Sequence, residues 1–168
     1  MKDSCFEKLA RLPIWLRGGA WLLSLLVLAW ASNQPGGDEE PHFSSGYLSN
    51  WLHVPMYGGM ALLTLLLIGS GAPRRWSSWI FLPFWILVIG CLDEWNQMQD
   101  GFRHASLQDL GSDFMGACFA LCFARWASRN PLQTRAGFHL LGLSLTFSLL
   151  WGALVMVTPD IPIPYLQP

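Results

Sequence analysis

Five apolar segments, each near the length that crosses a bilayer, are separated along this chain by loops that alternate between basic and acidic. A hydrocarbon core of about 30 Å takes about 20 helical residues at about 1.5 Å each. The segments run from Ile14 to Ala31, Trp51 to Ser70, Trp76 to Leu92, Ser106 to Trp126 and Phe138 to Val157. A chain with 52% hydrophobic and 12% charged residues and a positive mean hydropathy is poorly suited to a water-solvated core. The expected fold class is all-α, a polytopic membrane bundle of about five transmembrane helices.

Basic loops resist translocation, so their positions orient the chain. Lys2, Lys8, Arg11 and Arg17 open it, Arg74 and Arg75 join the second and third segments, and Arg125, Arg129 and Arg135 join the fourth and fifth. These are assigned to the cytoplasm. Ser32 to Asn50, with Asp38, Glu39 and Glu40, falls outside, as do Asp93 to Ala105 and the Pro-rich tail from Thr158 to Pro168. The first segment has the basic start of a signal peptide, but no clear small-x-small cleavage site precedes the polar loop, which favours a retained span. Arg17 lies one turn inside that span, and its stem is expected to snorkel toward the interface.

Other features are explained by this topology. A net charge of −1 gives no reason to expect nucleic-acid binding. Cys5, Cys91, Cys118 and Cys122 form no recognisable metal pattern, and the last three are expected to pack as small apolar groups within or at the ends of spans. Trp15, Trp51, Trp76 and Trp126 stand near span ends as interfacial anchors. Gly58, Gly59, Gly111 and Gly116 are expected to let helices approach closely, a main source of packing energy in membranes.

The polar chemistry is concentrated toward one face. Asn50, His53 and Tyr57 are spaced by three and four at the start of the second segment, so they share a helical face. Asp93, Glu94 and Gln97 follow at the outer end of the third segment, and Ser106, Asp109 and Asp113 open the fourth. Arg103, the tenth cation, stands among Asp100, His104 and these acids, and its guanidinium fork could pair with Glu94 or Asp109 or clamp a ligand anion. A structural salt bridge fastening the outer loop is the alternative. Ser106 also has the character of a helix N-cap, with Asp109 favoured by the helix dipole. Asp113, about two turns into its span, needs a partner in the bundle interior, because an intramembrane carboxylate costs ~2.5–3.5 kcal/mol on insertion scales. His53, Glu94, Asp109 and Asp113 offer one imidazole and three carboxylates, but none of the closely spaced metal motifs is present, so no metal and no cofactor is assigned. No spacing fixes a nucleophilic triad around Ser106 and His104.

Four blocks in order, Leu52-His53-Val54-Pro55-Met56-Tyr57, Gly90-Cys91-Leu92-Asp93-Glu94-Trp95-Asn96-Gln97, Arg103-His104-Ala105-Ser106-Leu107-Gln108-Asp109 and a closing Asp113 to Gly116, resemble the VanZ-like family of bacterial membrane proteins. The family pattern runs His-Phe-x-x-Tyr, Asp-Glu-x-x-Gln, Arg-x-x-Ser-x-x-Asp and Asn-x-x-Gly. Here Val54 replaces the common aromatic, Ser49 stands where an acidic residue is common, and Asp113 replaces the Asn, adding a negative charge. On this resemblance residues 1–168 form a single membrane domain. Residues 1–49 are the leader, first span and outer loop, 50–125 the VanZ-like core, and 137–157 the fifth span, followed by the Pro-rich tail.

The resemblance implies a multi-pass protein of the bacterial inner membrane, N-terminus cytoplasmic and C-terminus extracytoplasmic, from a family linked to glycopeptide (teicoplanin) resistance. Combined with the placement of the ionisable residues, it leads to the expectation of an outer-leaflet site that recognises or processes an envelope lipid or its phosphate or sugar headgroup. His53, Glu94 and Asp109 would take acid/base or orienting roles, and Arg103, Tyr57, Gln97, Ser106 and Asp113 would contact the ligand. Membrane lipids are the expected partners, with self-association left open. The alternative is a non-enzymatic accessory protein whose polar cluster is an inter-helix network.

Overall fold

The computed structural model describes residues 3–33, 43–99, 106–128 and 134–157. Asp38, Glu39, Glu40, Asp100, Arg103, His104, Arg129 and the tail lie outside the described residues, as do the side chains of Ser49, Asn50, Trp51 and Arg135. Every regular element among the described residues is helical: α1 (Cys5–Ala10), α2 (Ile14–Ser32), α3 (Phe43–Ile68), α4 (Trp76–Gln99), α5 (Leu107–Ala127) and α6 (Thr134–Val157), with a 3-10 turn at Ala72–Arg74.

The five apolar segments correspond to α2 through α6, with two extensions. Helix α3 begins at Phe43, within the stretch expected to be outer loop, and α4 runs on to Gln99, so Asp93, Glu94 and Gln97 are helical rather than at a helix end. Among the described residues, two helices, α2 and α4, are long and apolar enough to cross a membrane. Leu52–Ile68 and Leu141–Val155 are shorter apolar stretches, and α5 opens on Gln108, Asp109, Ser112 and Asp113, which dilute its hydropathy.

Helix α1 was not anticipated. It starts with a reciprocal cap in which the Glu7 amide donates to Ser4 Oγ (3.2 Å) and the Ser4 amide donates to Glu7 Oε2 (3.0 Å). The Ser4 amide foremost, then its hydroxyl and the charges of Arg74 and Arg11, hold the Glu7 carboxyl below its usual range. Phe6 and Ala10 are buried against the bundle.

Helices α3 and α5 form the centre. Their backbones cross at Gly58 and Gly116, where a Cβ on Gly116 would lie 2.5 Å from the Val54 carbonyl oxygen and 2.8 Å from the Gly58 nitrogen. Below this crossing Ala117, Ala120, Leu121 and Ala124 pack without exposure against a core that includes Met60, Ala61, Leu65, Leu82 and Ile86. Helix α6 docks on α5 through Trp151, whose ring covers Gly111 and whose indole N–H donates to Ser112 Oγ (3.0 Å). Gly59, by contrast, faces open space.

The basic residues gather at one end of the bundle. Arg17, expected to reach toward an interface, donates to the Leu66 carbonyl in the last turn of α3. Arg74 reaches Glu7 (3.2 Å) and the Ser128 carbonyl just beyond α5, and Arg125 donates to the Pro73 carbonyl (3.2 Å). Guanidinium groups thus meet the unsatisfied carbonyls where helix dipoles are negative. Substituting Gly116→Ala should lower stability by ~1–3 kcal/mol, because the added methyl meets backbone that cannot yield. Gly59→Ala should not. Thermal unfolding of both variants in detergent checks this, and equal melting temperatures would contradict the close crossing.

Candidate functional site

At the opposite end of the bundle, α3, α4 and α5 bring their polar residues together. His53 and Tyr57, one turn apart on α3, stack with ring centroids 5.6 Å apart. His53 Nδ1 lies 2.9 Å from Asp113 Oδ1 on α5, a hydrogen bond whichever group holds the proton. Tyr57 donates through its hydroxyl to Asp93 Oδ2 on α4 (3.0 Å), and the Gln97 side-chain amide donates to the same oxygen (3.1 Å).

Glu94 is buried on the face of α4 toward α5. Its Oε2 accepts from the Ser106 backbone N–H (2.9 Å), while Oε1 is sealed from solvent with no hydrogen-bond partner among the described residues. Asp113 Oδ2 is in the same condition. Gly90 on α4 makes room for it: any side chain there would collide with Oδ2 and press on Leu110. The absence of a Cβ at position 90 is what lets a carboxylate on α5 lie against α4.

Ser106 is the N-cap of α5, with extended backbone and its hydroxyl accepting from the amides of Gln108 (3.2 Å) and Asp109 (3.4 Å). Asp109 is buried in the first turn of α5, and its interactions extend beyond that amide bond. The carboxylate bonded to His53 is Asp113, not Asp109. Sequence spacing placed these residues on three helices that meet here but could not tell which α5 acid meets the imidazole. It also left out Asp93 as the shared acceptor of Tyr57 and Gln97, for which the i, i+4 spacing to Gln97 was an available signal. Ser112 and Trp151, which tie α6 to this layer, carried no pattern of their own. The proposed anion clamp, Arg103, lies outside the described residues.

Beside this cluster, between α2, α3 and α4, lies a partly open cavity of about 170 Å³. His53, Tyr57, Asp93 and Gln97 supply its polar wall, and Leu28, Leu52 and Met56 part of its apolar one. Ser32 closes the α2 side, where its Oγ accepts from Asn96 on α4 (3.2 Å). Among the described residues, no three His, Cys, Asp or Glu side chains gather closely enough to hold a metal ion. All four cysteines are free thiols.

Compared with known protein families, curated proteins and solved structures, the chain shows no match. The VanZ-like resemblance thus rests on the order and spacing of its sequence blocks.

Removing one member of a buried polar pair leaves the other uncompensated. His53→Ala should cost on the order of 1–3 kcal/mol, and adding Asp113→Asn to it should recover part of that loss, since a neutral amide is cheaper to bury than an orphaned carboxylate. Detergent unfolding of the two single variants and the double variant forms the cycle. Strictly additive losses would show that the two side chains do not interact.

Proposed function

We propose that this chain is a VanZ-like protein of the bacterial inner membrane, crossing it five times through α2 to α6 with its N-terminus cytoplasmic, and that its outer-leaflet polar site recognises the headgroup of an envelope lipid. The membrane reading is supported by what the helices present outward. Leu22, Leu23, Leu26 and Val27 on α2 and Leu143, Phe147, Leu149 and Leu150 on α6 are exposed, apolar faces that water would penalise and hydrocarbon would not. The orientation is supported by the separation of Arg17, Arg74 and Arg125 at one end from His53, Asp93, Glu94 and Asp113 at the other.

The cavity between α2, α3 and α4 carries the functional reading. One wall hydrogen-bonds and the other is hydrocarbon, matching a molecule that is polar at one end and greasy at the other. His53, fixed through Nδ1 by Asp113, has Nε2 as the ring nitrogen left for a ligand. Glu94, one of whose buried oxygens has no partner among the described residues, lies behind the cavity wall and would serve proton transfer only through the His53 and Asp113 layer. Phosphate and sugar headgroups both fall within this reading, as does a site that binds without reacting.

An accessory or scaffold role is favoured by a different observation, that the His53–Asp113 and Tyr57–Asp93 bonds each join two helices. Such bonds stabilise membrane bundles by ~0.6 kcal/mol on average, with no ligand involved. The two readings separate on Met56→Trp, which fills the cavity from its apolar side without touching the polar bonds. Native mass spectrometry of the full chain in a bacterial polar-lipid extract should show retained lipid falling about tenfold, a loss of ~1.4 kcal/mol, with little change in melting temperature. Undiminished lipid retention would leave the scaffold role standing.

A further inference from the structure

The hydrogen bonds lining the cavity have a direction, and it selects the ligand. Asp93 Oδ2 accepts from both Tyr57 and Gln97, which commits the Tyr57 hydroxyl proton and places the Gln97 amide nitrogen on the same acceptor. Asp93 is half-buried, and its second oxygen, Oδ1, has no partner among the described residues. Among the described residues Asp93 pairs with no Lys, Arg or His, and the described lining of the cavity holds no Lys or Arg. Behind this wall Asp113 is taken up by His53 and Glu94 by the Ser106 amide, so Asp93 is the carboxylate that the cavity itself presents. A wall whose Tyr57 and Gln97 donors are turned onto its own Asp93 carboxylate is poorly matched to a phosphate. It is matched to a cation that brings its own N–H groups.

We propose that the α2–α3–α4 cavity binds the primary ammonium group of a membrane lipid, with Asp93 Oδ1 accepting an N–H and Tyr57 Oη offering a further lone pair. This rests on the lipid-site reading above and narrows it. Leu52 and Met56 of the apolar wall are exposed, and on this reading the acyl chains lie against them. The remaining hydroxyl of the described lining, Ser32, lies on the α2 wall. The phosphate of a zwitterionic lipid is then left near the cavity mouth rather than inside it.

Short-chain phosphatidylethanolamine, phosphatidylcholine and phosphatidylglycerol titrated against the full chain and read by native mass spectrometry separate the chemistries. The first carries charge and N–H donors, the second charge without donors, and the third hydroxyl donors without positive charge. Phosphatidylethanolamine should bind about tenfold more tightly than either, the scale of one charge-assisted hydrogen bond. Asp93→Asn, which keeps an acceptor for Tyr57 and Gln97 but loses the charge, should erase that preference while the melting temperature holds. Equal binding of phosphatidylcholine shows that no N–H is read and overturns the proposal, as does equal or stronger binding of phosphatidylglycerol. If Asp93→Asn does not fold, the comparison of the three lipids on the unaltered chain decides alone. Excess soluble phosphoethanolamine should displace little, because the acyl chains contribute; full displacement would assign the site to a free amine instead. Loss of binding in Met56→Trp without headgroup preference would overturn the ammonium assignment alone, whereas lipid binding insensitive to Met56→Trp would remove the lipid site itself.

Discussion

Two buried carboxylates govern this structure. Asp113 is 0% exposed and Glu94 is 1% exposed, and a carboxylate taken out of water is costly unless it is partnered. The arrangement of α3, α4 and α5 around them follows from meeting that cost. His53 must come from α3 to Asp113, the Ser106 amide from the start of α5 must turn to Glu94, and Gly90 must omit its side chain so that Asp113 can lie against α4. The crossing at Gly58 and Gly116 serves the same end, since only backbones in contact bring His53 and Asp113, about one turn away on each helix, within hydrogen-bonding reach.

The opposite end of the bundle is built on the complementary charge. Arg17, Arg74 and Arg125 each donate to a backbone carbonyl at a helix end or a turn, so these cations close hydrogen-bonding deficits of α3, α5 and the Ala72–Arg74 turn. One end is stapled by arginine and the other is held by carboxylates and an imidazole. Between them lies an alanine-rich seam with few polar groups, so the two ends are joined through packing rather than through a polar pathway.

Much of this was legible in the sequence because helix length and the three-to-four spacing of polar residues are local properties. Segment positions, the shared face of His53 and Tyr57, the capping role of Ser106 and the need of Asp113 for an interior partner all follow from that local geometry. What was not legible depends on how helices rotate against each other. Whether Asp109 or Asp113 meets His53 turns on the rotation of α5. The carbonyl that Arg17 meets is known only once α3 is seen to end beside it, and Asp93 becomes a shared acceptor only once Tyr57 faces α4. The extension of α4 past Leu92 escaped because polar residues that look like a loop in sequence are held in helix here by contacts across the bundle.

The account depends on a polar pocket that opens to lipid near one membrane surface. An experimental structure of the full chain in lipid nanodiscs tests it most directly. The account predicts α2 to α6 within the bilayer, with headgroup density in the cavity against Asp93 and His53 and acyl density beside Leu52 and Met56. A cavity closed by side chains, or one facing the bundle's arginine end, would contradict it.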